Sequence, residues 1–157
     1  MNDRERSRQA KAYLMQAYRL MQKMKLEQDK IEHLRSKIEY KSPSFEGMGG
    51  SCGGAEDKMS LVVAEIVAIE QDKASNFLEY ARKYKEIERA IGDIDDDIEK
   101  EILERRYLLN EPWESSYDKN SGEYRKGIAD KIGYSVRNVY KKHGSALLKI
   151  KIPESMG

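Results

Sequence analysis

The sequence predicts an all-α protein in two parts: a long antiparallel, coiled-coil-like helical hairpin over residues 1–91, and a helix-turn-helix domain over residues 93–157. Three observations predict it. Two segments of similar length repeat apolar residues in steps of three and four. A glycine-rich stretch near 42–55 joins them. Close to the C-terminus, Ile128-Ala129-Asp130-Lys131-Ile132-Gly133-Tyr134-Ser135-Val136-Arg137-Asn138-Val139-Tyr140 sets two short apolar stripes on either side of a glycine. The composition agrees. With 36% charged residues and a mean hydropathy of -0.83, the chain has too few apolar residues for a large core, whereas a narrow seam suffices between long exposed helices.

The first helix is expected from about Asn2 to Tyr40. Leu14, Ala17, Met21, Met24, Ile31, Leu34 and Ile38 form a heptad-type seam, with polar Gln28 in the slot between Met24 and Ile31. Pro43 and the run Gly47 to Gly54 then end it as a turn between antiparallel helices. The glycine pairs do not make a phosphate loop, because no Lys-Ser or Lys-Thr follows and no strand precedes. The second helix is expected from near Glu56. Met59, Val62, Ile66, Ile69, Lys73, Asn76, Tyr80, Lys83 and Ile87 keep a three-four alternation, and Phe77 and Tyr84 widen the stripe. Each helix would be about 50 Å long at 1.5 Å per residue, and neither seam would hold a helix alone, so each needs a partner helix. Lys73 and Asn76 sit awkwardly on a seam. They point to registry control, a partner or a local solvated gap.

Gly92-Asp93 is the expected break, although Ile91, Ile94, Ile98 and Ile102 continue the seam. A helix from Asp95 to Leu109 follows, its first turn acidic (Asp95, Asp96, Asp97) and its last basic (Arg105, Arg106), as the helix dipole prefers. Consecutive aspartates on a helix point in different directions, so that cluster is not read as a metal site. Asn110 to Trp113 ends the helix, and the polar stretch Glu114 to Gly127 reads as a loop.

In the helix-turn-helix segment, Ile128, Ala129 and Ile132 face one way, and Gly133 supplies the residue that takes φ > 0 and ends the helix. Ser135 is placed to N-cap the next helix, which turns Val136, Val139 and Tyr140 inward. From Ser135 to Lys151 there are five Lys or Arg and no Asp or Glu. Helices so joined lie in the DNA major groove in many proteins. The net charge of +1 hides a segregation: beyond Trp113 nine Lys or Arg face five acids. Local field, not total charge, decides phosphate binding.

Other classes are excluded by what is missing. Cys52 is the single cysteine, and His33 and His143 are the two histidines, so no metal cluster, cofactor or disulfide framework is expected, and no nucleophile motif marks an enzyme. The charged N-terminus is unlike a signal peptide, and no apolar run reaches membrane-spanning length. The expectation is a soluble protein without a membrane partner, in a reducing host-cell cytoplasm.

Glu104-Arg105-Arg106-Tyr107, then Pro112-Trp113, then Ile128 to Ser135, and the closing Ala146-Leu147-Leu148-Lys149 together resemble region 4 of sigma-70-type factors. The whole chain is similar to small phage proteins related to the ArpU late transcription regulators. That likeness rests on Ser42-Pro43, Gly47-Met48-Gly49, Asp57-Lys58 and the ending Tyr140-Lys141-Lys142-His143-Gly144-Ser145-Ala146-Leu147. The chain departs from the pattern in one place: roughly a dozen extra residues, about Ser116 to Lys126, separate Trp113 from the Ile-Ala helix. With Lys119, Arg125 and Lys126 they could serve as an arm along the DNA backbone.

The resemblance implies a DNA-binding transcription regulator with RNA polymerase as a second candidate partner. On the helix opened by Ser135, Arg137 and Asn138 are the candidates for base edges, since Arg pairs bidentately with guanine and Asn with adenine, each for about 1–3 kcal/mol of discrimination. Ser135, Lys141 and Lys142 are candidates for phosphates, and Tyr134 for a phosphate through its hydroxyl. Tyr140 is expected in the core, and His143 capping or packed against Trp113. A single module of this kind binds weakly, so the long helices are read as a homodimerisation arm or an adaptor. Two alternatives stand beside this reading: a DNA-packaging factor like a small terminase subunit, and a helical protein-interaction module with no DNA affinity.

Overall fold

The computed structural model describes residues 1–41 and 53–154. The expected glycine-rich turn lies almost wholly outside the described residues, as do Pro43 and Cys52. The order of elements is α1 (Asp3–Lys41), α2 (Gly53–Gly92), α3 (Asp97–Leu103), a π-helical turn (Glu104–Leu108), β1 (Ser116–Tyr117), β2 (Tyr124–Arg125), α4 (Ile128–Ile132) and α5 (Val136–Lys149). The fold is mostly α, as expected, and α1 and α2 pack together antiparallel. No described helix is long and apolar enough to cross a membrane. The chain forms two compact units, Leu20–Tyr80, and Met1–Arg19 with Ala81–Gly157. They cut across both long helices, whereas the sequence reading divides the chain after residue 91.

In the first unit the seam is thin, with Ile31 and Ile66 buried. The polar residues that interrupt the two apolar repeats face each other. Lys73 Nζ donates to Gln28 Oε1, and buried Asn76 Nδ2 donates to buried Glu27 Oε1 at 2.7 Å. A slip of either helix would strand these groups away from water, so the layer fixes the register that a thin apolar seam leaves loose. Arg35 pairs with Glu70 at 2.9 Å on the surface. Phe77, expected to widen the inward stripe, is 58% exposed. It stands one residue past Asn76, which holds the seam position, and one residue turns a helix by about 100°.

The second unit holds most of the core. Ala10, Tyr13, Leu14 and Ala17 of α1 and Ile87 and Ile91 of α2 are buried, and the Tyr13 hydroxyl donates to Glu86 Oε1 at 3.1 Å. Burial and the Glu86 carboxylate push the Tyr13 phenol well above its ordinary pKa. The helix break falls at Gly92, as predicted. Asp96 N-caps α3, its carboxylate accepting from the Ile98 and Glu99 amides at 3.0 Å each. Those bonds, with Lys142 beside it, hold Asp96 below the usual carboxylate range. The predicted helix to Leu109 forms, but its last turn widens: Leu109 N–H reaches back to Glu104 O at 3.0 Å, an i to i−5 bond. Asn110 then leaves the helix at φ 55°.

The expected loop between Glu114 and Gly127 contains a β-hairpin. Ser116 pairs with Arg125 and Tyr117 with Tyr124. Asp118 closes its turn by accepting from the Asn120 amide at 2.9 Å and from Ser121 Oγ at 3.0 Å, and Gly122 takes φ 71°. The signal was in the sequence: two tyrosines flank Asp118, Asn120, Ser121 and Gly122, the residues of a hairpin turn.

Candidate nucleic-acid interface

Ile102, Ile128, Ala129 and Val139 form one buried cluster, with Ile98, Trp113, Ile132 and Val136 packed against it. This apolar contact sets α4 and α5 on α3. Between the two helices the chain turns as the sequence requires. Gly133 caps α4 at φ 82°, ψ 27°, and its N–H bonds to Ala129 O at 2.9 Å. Ser135 N-caps α5, its hydroxyl accepting from the Asn138 amide at 3.2 Å.

An aromatic cluster steadies the far side of α5. The His143 ring lies 4.7 Å from Trp113 and the Tyr140 ring 5.3 Å from it, both edge to face. The Tyr107 hydroxyl and His143 Nε2 share a hydrogen bond of 2.8 Å. The Arg106 guanidinium stacks 4.7 Å over the Trp113 ring and donates to Glu111 O at 3.0 Å. His143 therefore packs on Trp113, while Tyr140, expected in the core, is 48% exposed: it stands one residue past buried Val139, about 100° round the helix. Burial lowers His143 to a pKa of about 4, helped by Lys11 and Arg106. Burial likewise raises Tyr107 to about 12. The ring is neutral at pH 7 and the phenol keeps its proton.

The basic residues divide into two groups. Lys131 pairs with Glu111 at 2.6 Å, Lys142 with Asp96 at 3.0 Å, and Lys149 with the buried Glu99 at 2.5 Å. These cations tie α4 and α5 to the α3 segment. Arg137, Asn138 and Lys141 are exposed on the first turns of α5, and their side chains make no hydrogen bond or ion pair with a described residue. Lys141 lies four residues past Arg137 and three past Asn138, so it neighbours both on the helix surface. Tyr134 stands exposed in the turn before them. Of the six residues singled out in sequence, Tyr134, Ser135, Arg137, Asn138 and Lys141 thus gather at the exposed start of α5, Ser135 with its hydroxyl engaged in the cap. Lys142 instead turns toward Asp96, one turn further along. Sequence periodicity gave no sign of that pairing, because Asp96 is 46 residues away.

No family model, no curated protein and no solved structure matches this chain.

Proposed function

We propose that the chain is a phage-type DNA-binding transcription regulator similar to the ArpU proteins, with a C-terminal domain similar to sigma region 4. In this reading α5 enters the major groove, Arg137 and Asn138 meet base edges, and Tyr134, Ser135 and Lys141 meet phosphates. The protein is a binding module, not an enzyme. One observation carries the reading: the start of α5 is free of acids and presents polar side chains that the fold does not use, while neighbouring lysines are consumed by carboxylates. Side chains held on a rigid, capped helix and left uncommitted are prearranged for a ligand.

One such module makes few contacts, and specific operators usually need two. The second copy would join through α2. Val63, Val67, Ala74 and Leu78 are exposed in steps of four, seven and four, a second heptad-type seam on the face turned away from α1. Light scattering after size exclusion would return twice the 18.2 kDa chain mass; a monomer at micromolar concentration would remove the dimer from the account and leave RNA polymerase as the partner of that face.

The test of the reading is the double substitution Arg137→Ala with Asn138→Ala. Sequence preference should disappear while helicity and non-specific binding remain. Preference retained by the double variant would overturn the assignment of the reading residues.

A further inference from the structure

The β-hairpin between Trp113 and α4 has features that its own folding does not require. Tyr117 and Tyr124 lie directly opposite each other, so both rings stand on one face of the ribbon, 61% and 64% exposed. Lys119 in the turn, Arg125 on the return strand and Lys126 just after it are exposed, and none makes an ion pair or side-chain hydrogen bond with a described residue. Of the two acids in the turn, Asp118 is engaged locally, while exposed Glu123 makes no side-chain bond with a described residue and leaves three cations against one free carboxylate. The Asn120 amide and Ser121 hydroxyl hold the Asp118 carboxylate.

The ribbon is also fixed at its base. Gly127 N–H donates to Ser115 Oγ at 2.9 Å, and that hydroxyl donates in turn to the Asp130 carboxylate of α4. Ile128 and Ala129 N–H donate to Pro112 and Trp113 carbonyls at 2.9 and 3.2 Å. At Gly127 the two sides come so close that a Cβ would meet Glu114 C at 2.3 Å. A two-residue ladder is marginal by itself. These bonds hold the base of the ribbon to α4, which leads through Gly133 into α5.

We infer that this hairpin is a second DNA-contacting element, gripping the phosphate backbone beside the site entered by α5 through Lys119, Arg125 and Lys126. The inference rests on the reading of α5 as the groove-entering helix. Phosphate contacts of this kind position a protein and strengthen binding without reading sequence. The hairpin therefore supplies affinity that the few contacts of α5 lack, and α5 supplies the choice of site.

The experiment uses the full chain with Lys119→Ala, Arg125→Ala and Lys126→Ala combined, and a duplex that the unsubstituted protein prefers. Anisotropy titrations over a series of KCl concentrations give the slope of log K against log salt. Each lost phosphate contact removes about 0.9 from that slope, so the triple variant should be shallower by about 2–3 for each bound copy of the chain, with affinity down on the order of tenfold or more. Its ratio of preferred to random duplex should stay unchanged, and so should its helicity, since none of the three side chains supports the fold. A single Lys119→Glu variant should shift the slope the same way by a smaller amount. An unchanged slope in the triple variant, with sequence preference intact, would overturn the role of the hairpin and leave the reading of α5 standing. Absence of duplex binding by the unsubstituted protein would overturn both.

Discussion

Lowering the pH should destabilise the unit that carries α5, through His143. In the unfolded chain an imidazole takes its proton near pH 6.5, whereas in the fold it does so near 4. The folded state thus resists protonation that the unfolded state accepts. Stability from this group is full above pH 6.5 and is lost as the pH falls towards 4. From the two pKa values the loss is about 2 kcal/mol at pH 5 and about 3 kcal/mol at pH 4. Lys11, Arg106, Tyr107 and Trp113 surround the ring, and no carboxylate is among them to welcome the imidazolium. Urea denaturation of the wild type and of His143→Asn, each at pH 7.5 and pH 5, isolates the effect, because carboxylates titrate alike in both. The difference between the proteins should narrow by about 2 kcal/mol at the lower pH. A parallel decline in the two proteins would refute the reasoning, as would an NMR titration placing His143 near 6.5.

The two turn glycines should fail for different reasons. Gly127→Ala drives a methyl into backbone at 2.3 Å and should cost about 2–3 kcal/mol, read by denaturation. Gly133→Ala meets open space, yet it must hold φ 82°, so the cost should be about 1 kcal/mol, and Gly133→Asn should recover most of it. Lys149→Ala leaves the 3%-exposed Glu99 carboxylate without its cation and should lose about 2 kcal/mol, a figure kept modest because Lys149 itself is half exposed. Replacing both, as Glu99→Leu with Lys149→Met, should be much milder in the same denaturation assay.

Local chemistry made much of the fold legible. The 3.6-residue repeat gives both long helices, Ser135 marks one helix start, the acidic run Asp95 to Asp97 marks another to within two residues, with Asp96 as its cap rather than inside its first turn, and Gly92 and Gly133 mark two ends. Each of these is decided within about one helical turn, which is the range that sequence patterns report. What escaped depends on distance. The Lys142–Asp96 and Lys149–Glu99 pairs join residues far apart in the chain, and charge pattern alone does not say which lysine finds an acid. Tyr140 lies against Trp113, a contact between residues of different elements, and it stays half exposed there. The hairpin is hard to see in the sequence for another reason. Its strands are two residues long and exposed on both faces, so no apolar alternation announces them. Only the turn residues do. Within the candidate interface, Arg137, Asn138 and Lys141 were legible because exposure follows helix phase, whereas the engagement of Lys142 was not.

Whether the start of α5 reads DNA sequence is decided by a binding measurement. Fluorescence anisotropy would be measured against duplex fragments tiled across the genome that encodes the chain, at two salt concentrations. One fragment should be held far more tightly than the rest, beside a promoter, with affinity falling steeply as salt rises. Uniform weak binding across all fragments, or none at low salt, would contradict it.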